Sequence, residues 1–223
     1  MKKLFVFLLL LISMTATAQK DVTKFLGIPV DGSKTAMIQK LKAKGFVYNQ
    51  KNDILTGQFN DYDVIISVVT NNNKVSRIVV ADKNEVDESN IKIRFNKLCG
   101  QFERNKKYVS MEDQRIPDDE DISYRMIVDK KRYEAIFYKI PETFDSLAMA
   151  KEVEDIVLSR FKKEELDNPT EEILNELEEL KRDYSLNLLS KSPVWFLIDE
   201  EYGKYRIIMY YDNEYNKSDG EDL

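Results

Sequence analysis

Phe25-Leu26-Gly27-Ile28-Pro29-Val30-Asp31-Gly32, then Ser33-Lys34-Thr35-Ala36-Met37-Ile38-Gln39-Lys40-Leu41-Lys42-Ala43-Lys44 and Gly45-Phe46, opens the stretch that sets the plan of this chain. Ser33 is a good helix cap, Met37 and Leu41 lie one turn apart with Ile38 beside them, and Gly45 suits the left-handed position past a helix end. The spacing predicts a helix over residues 33–44. Extended segments follow at residues 54–59, around Gly57, and at residues 62–70, Tyr-Asp-Val-Ile-Ile-Ser-Val-Val-Thr. Asn71-Asn72-Asn73 tolerates left-handed turn conformations, and residues 75–81 return as the partner strand of a hairpin. Val64, Ile66 and Val68 occupy one face of residues 62–70, and Ile65 and Val69 the other. A strand apolar on both faces is expected inside a sheet, not at its edge.

Outward from this unit the same order of elements returns. Ile91, Phe95, Leu98 and Phe102 recur at steps of four, three and four, which places them on one helical face. Strands are then expected at residues 107–111, 122–128 and 132–140, the last two joined by Asp129-Lys130-Lys131. Order recurs here, not residues. Past Pro141, residues 146–163 read as a helix burying Met149, Val153, Ile156 and Val157. Asn168 as cap, Pro169 at the first helical position and Glu171 at the third begin another helix, whose stripe Ile173, Leu177, Leu180 and Tyr184 is expected to pack on the sheet. Its charges form a solvated face. The last strands, residues 194–198 and 205–211, turn around Gly203 and are expected in the middle of the sheet, and the polar tail from Asp212 is expected to wrap the surface or fray. The expected class is α+β: two helix-plus-antiparallel-meander units, residues 19–82 and 83–223, with a helical insertion at 144–190 and a C-terminal β-hairpin at 193–212.

Lys2 and Lys3 precede an apolar run over residues 4–12, and Ala16-Thr17-Ala18 has the small-x-small form of a cleavage site. Residues 1–18 therefore read as a signal peptide, with Gln19 the first mature residue. Nine apolar residues fall short of the roughly 20 that cross a bilayer, so no transmembrane segment is expected in the mature chain. No cysteine near the cleavage site offers a lipid acceptor. The expected location is the periplasm or the outside of the cell. Loss of residues 1–18 removes two lysines and no acid, so 32 basic groups face 40 acidic ones, a net charge of −8. Such a surface repels phosphate backbones, and nucleic acid is not an expected partner.

The chain has no histidine, which excludes Ser-His-Asp and Cys-His catalysis and the HExxH zinc site. It also has no GxxxxGK[ST] or GxGxxG loop. Cys99, the one cysteine, follows Leu98 on the apolar helix and reads as a small buried hydrophobe without a base. Acids cluster at Asp61 and Asp63, Asp118 to Asp121, and Asp199 to Glu201, all at expected turns, where Asp belongs for its own hydrogen-bonding reasons. A carboxylate hydrolase would need two of them facing one another across about 5 to 9.5 Å. Asp212-Asn213-Glu214 with Asp219 to Asp222 does not have EF-hand spacing. No catalytic residue, metal site or cofactor is assigned. Aromatic residues are the informative feature, since Trp195, Tyr205 and Tyr210 fall on the last two strands with Phe196, Tyr202 and Tyr211 near them. Outward-facing tyrosines and tryptophan would form an amphipathic binding surface, although tyrosine also suits half-buried strands for its β-propensity.

The run from Phe25 to Gly32, Lys44-Gly45-Phe46, and the closing Tyr210-Tyr211-Asp212-Asn213 with Gly220-Glu221-Asp222-Leu223 resemble a group of uncharacterised secreted proteins of gut Bacteroidetes. The resemblance covers most of the mature chain and carries no site residues over. At the level of fold, a helix and strand meander repeated twice is similar to the plan of the β-lactamase-inhibitory proteins and of small envelope-assembly lipoproteins. Those inhibitory proteins are stapled by disulfides, which a chain with one cysteine cannot match. The expected function is non-enzymatic: binding of another envelope or extracellular protein through an aromatic-rich sheet face, with Trp195, Tyr205 and Tyr210 as binding residues. The alternative is a small ligand or glycan held in a pocket between sheet and helices.

Overall fold

A computed structural model describes residues 21–141 and 146–217, without the side chains of 146–149. The expected signal peptide, Met149 and the end of the tail lie outside the described residues. Within them the fold is α+β, as expected. Its elements run β1 (Lys24–Phe25), β2 (Ile28–Pro29), α1 (Lys34–Ala43), β3 (Val47–Asn49), β4 (Ile54–Phe59), β5 (Tyr62–Asn71), β6 (Lys74–Asp82), α2 (Glu88–Arg104), β7 (Tyr108–Val109), α3 (Ile122–Ile127), β8 (Glu134–Lys139), α4 (Ser146–Arg160), α5 (Lys163–Asp167), α6 (Glu171–Ser190), β9 (Pro193–Glu201) and β10 (Lys204–Asp212). No helix among the described residues is long and apolar enough to cross a membrane.

Eight strands form one antiparallel sheet in the order β3-β4-β5-β6-β10-β9-β8-β7. This order is two four-stranded meanders, each led by a helix, joined where their last strands pair: Val80 opposite Met209 and Ile78 opposite Tyr211. The expected final hairpin thus completes the second meander and occupies the middle of the sheet. At either edge stand β3, of three residues, and β7, of two, and such short edges offer little backbone to another chain. The Asn72 and Asn73 turn between β5 and β6 takes positive φ at both residues, 47° and 61°, as the three asparagines predicted.

One face of the sheet is buried, and the helices explain why. Ser33 Oγ accepts from the Ala36 N–H at the start of α1, whose Met37, Ile38 and Leu41 are buried. On α2, Ile91, Phe95 and Leu98 are buried and Phe102 packs on the same core. Phe95 meets Phe196 edge-on at 5.0 Å, and Phe102 stacks on Phe137 at 4.7 Å. The β1–β2 arm adds Phe25, which meets Tyr211 at 4.8 Å and Phe59 at 5.1 Å. Truncating a buried ring of this kind costs on the order of 3–5 kcal/mol. Gly57 is required by close approach, because a Cβ there would lie 2.6 Å from the Phe46 ring.

Three expectations need correction. Residues 122–127 are helix, not strand. Asp121 accepts from the Tyr124 N–H at 2.8 Å, Glu88 accepts from the Ile122 N–H at 3.0 Å, and Ile122 and Met126, four apart, turn toward the core. The sheet position expected for these residues does not exist, since β8 pairs directly with the two-residue β7. Second, α6 is capped by Thr170, whose Oγ1 accepts from the Ile173 N–H, while Asn168 ends the short α5 and Pro169 precedes the cap. Third, α6 packs on α4 and touches the sheet at β8 instead of lying across it. Tyr184 donates to the Glu152 carboxylate between the two helices, and of the stripe only Leu180 is fully buried.

Candidate functional site

The second face of the sheet carries the candidate site. Strand alternation sends Ile65, Val79, Ile208, Leu197 and Ile136 away from the core, and all remain partly exposed to solvent. Pairing aligns them in rows: Ser67, Val79, Tyr210, Trp195 and Ile136 are consecutive register partners across five strands. Within that row the Trp195 and Tyr210 rings stack at 4.0 Å with 14° between planes. The Arg77 guanidinium lies 4.9 Å from the Tyr210 ring centre and 5.6 Å from that of Trp195. A shallow depression of about 550 Å³ borders this cluster, lined by Ile136, Tyr138, Arg132, Lys191 and Lys217 among others.

Beneath the rings lies Asp212, whose side chain is 1% exposed. It accepts a two-toothed hydrogen bond from Arg77, through Nε and through Nη2 at 2.7 Å, and a third from the Trp195 indole N–H at 3.0 Å. Burial pushes the Asp212 carboxyl up, but the bonds from Arg77 and Trp195 and the charges of Arg77 and Lys217 outweigh it and hold the group below its ordinary value. The same bond to Asp212 raises Arg77. Indole orientation is therefore fixed by a buried ion, and the aromatic surface is preorganised.

Of the three sequence-predicted binding residues, the structure brings Trp195 and Tyr210 together and separates Tyr205 from them. Tyr205 is 2% exposed on the opposite face, with its hydroxyl 2.7 Å from Ser123 Oγ and its backbone bridged to Val86. Tyr210 follows Tyr205 by five positions, an odd step, so strand alternation alone opposes them. Sequence offers no signal for Arg77, and it offers Asp212 only as part of an acidic cluster without EF-hand spacing, not as a partner of the aromatic strands. Arg77 stands between apolar strand residues and Asp212 looks like the start of a polar tail.

A cavity of about 540 Å³ opens on the core side, between the β1–β2 turn, the β4–β5 turn and the second half of α2. Leu98, Phe102, Phe59 and Leu26 line it, with Met209 and Tyr211 of β10 as lining residues from the sheet. The amides of Asn60 and Gln101 donate to each other at 2.8 and 3.0 Å across it. Lys24, Lys107 and Lys139 are its charged groups among the described residues.

Several of the clustered acids have structural partners, and Asp63 and Asp199 to Glu201 lie in β5 and β9 instead of the expected turns. Glu120 takes bonds from Lys131 and Tyr133, Asp121 caps α3, and Asp199 binds Arg206. Among the described residues no three Asp, Glu or Cys side chains converge as a metal site would require. Cys99 is buried, and burial pushes its thiol up to about 12. Compared with known protein families, with curated proteins and with solved structures, the chain matches none.

Proposed function

We propose that this is an exported, non-enzymatic envelope protein that binds another protein through the outer face of its sheet. The observation that carries the reading is the Trp195–Tyr210 stack with Arg77 beside it, on the face opposite the core. Trp, Tyr and Arg are the residue types that dominate interface hot spots. Held by Asp212, the cluster loses little conformational freedom on binding. Flat rows of aliphatic side chains around it supply area that needs no further ordering, and the charged groups at Arg132, Lys191 and Lys217 supply a polar rim.

Affinity capture of residues 19–223 against envelope extract of the source bacterium, read by mass spectrometry, tests the proposal. One partner retained by the wild type, lost with Trp195→Ala and Tyr210→Ala and kept with Tyr205→Phe, is the expected result. Tyr205 serves as the control because it lies on the other face. Retention no better than that of an unrelated protein of equal charge would overturn the reading.

A further inference from the structure

Strand β7 offers little backbone of its own, but it is also too short to cover β8, and the part of β8 left without a neighbour borders the Trp195 surface. Strand parity identifies the backbone groups concerned. The Lys139 N–H donates to the Ser192 carbonyl, the Ile198 N–H donates to the Tyr133 carbonyl, and the Ile140 N–H donates to the Lys107 carbonyl. Odd-numbered residues of β8 therefore turn their N–H and C=O toward β9, and even-numbered ones turn theirs to the β7 side. Among the described residues β7 pairs only with Tyr138 and Lys139, and none bonds to the backbone of Glu134 or Ile136 on that side. Continued in register, β7 would set residues 111 and 113 opposite them. The chain turns off instead: Met111 is 53% exposed, Asp113 accepts from the Arg115 N–H, and Ile116 exchanges two bonds with Asn96 of α2.

Resting on the sheet-face reading, we infer that an extended segment of the protein partner adds to the sheet here, as a strand along β8 bonded to Glu134 and Ile136. Edge groups that find no bond in the protein are held by water and form a template for another chain. Backbone pairing of this kind supplies affinity for many sequences, and side chains at alternate positions supply selectivity. The added strand is the next member of the row Ser67, Val79, Tyr210, Trp195 and Ile136, so its residue beside Ile136 is apolar. Two positions along, its neighbours are Arg132 and Glu134, an exposed ion pair at 3.2 Å, and a polar residue fits there.

Titration of a capped peptide of alternating valine and threonine, with one lysine and one glutamate at its ends, into residues 19–223 tests the inference, read by amide hydrogen exchange. In the free protein the Glu134 and Ile136 amides are expected to exchange at least about tenfold faster than those of Ala135 and Phe137, which β9 protects. Peptide at about 1 mM is expected to slow Glu134 and Ile136 at least about tenfold. Glu134→Pro removes an outward N–H without touching the β9 ladder and is expected to bind at least about tenfold more weakly than Glu134→Gln, with the fold of both checked by circular dichroism. Slow exchange of Glu134 and Ile136 in the free protein, no added protection with peptide, or equal binding by the two variants would overturn it. No envelope partner enters this titration, so its failure leaves the Trp195 surface standing, and failure of the affinity capture leaves the exchange result intact.

Discussion

Arg77 and Asp212 face each other as register partners on β6 and β10, so their ion pair sits on the seam where the two meanders join. Arg77→Ala leaves a carboxylate that has almost no access to water with only the Trp195 N–H and Lys217 to hold it among the described side chains. The expected loss is about 2 kcal/mol, below the value for a fully buried pair because Arg77 is itself partly exposed. Arg77→Lys recovers only part of it, since an ammonium cannot make the paired Nε and Nη2 bonds. Urea denaturation at neutral pH measures both.

Asp212 also sets an acid limit. A carboxyl held below its ordinary value of about 3.9 adds stability that is present above that value and is lost as pH falls through its lower folded-state value. Wild type is therefore expected to lose stability below about pH 4 more steeply than Asp212→Asn, which is the less stable protein at neutral pH. Asp53, Asp87 and Glu120 are lowered as well but are common to both proteins, so the difference isolates Asp212. Parallel urea midpoints from neutral to acid pH would contradict this.

Arg94 is 2% exposed on α2, bonded to Asp82 at 3.2 Å and stacked 3.7 Å over the Tyr62 ring, and its buried Nη1 finds no acceptor among the described residues. Arg94→Met keeps the bulk but leaves Asp82 buried and uncompensated, an expected cost of about 3 kcal/mol. Arg94→Met with Asp82→Leu removes both charges and is expected within about 1 kcal/mol of wild type, because desolvation of the pair offsets most of its attraction. A double-mutant cycle on thermal or urea unfolding decides.

Cys99 should be inert in the native protein. With the thiol buried and pushed up to about 12, iodoacetamide at mild alkaline pH is expected to leave it unmodified for as long as the fold holds and to alkylate it fully in denaturant. Intact mass before and after exposure reads the result. Rapid native labelling would place the thiol at the surface.

Features that rest on local spacing were legible in the sequence. The α1 stripe, the α2 stripe and the triple-asparagine hairpin each follow from contacts within a few residues, and each is found. Residues 122–127 show where that legibility stops: a short apolar run fits either period, and the caps that decide it come from Asp121 and from Glu88, more than thirty residues away. Tyr205 is a different kind of miss, because parity with Tyr210 is local and was sufficient to separate them. Arg94 sits three residues after Ile91 and four before Leu98, on the very stripe assigned to the core, so its burial was legible by position although its charge argued otherwise. Asp212 and the core-side cavity were not legible, since both depend on which strands become neighbours.

That choice of neighbours also orders events in time. β6 finds its second partner in β10, whose last residue is Asp212. A chain emerging in order from a ribosome therefore presents β6 as an open, β-branched edge until β10 has followed it out. The first meander can form early but stays open along that edge, so aggregation during synthesis is expected to begin there, and truncations ending before residue 204 should be insoluble even though they retain all of β3 to β6.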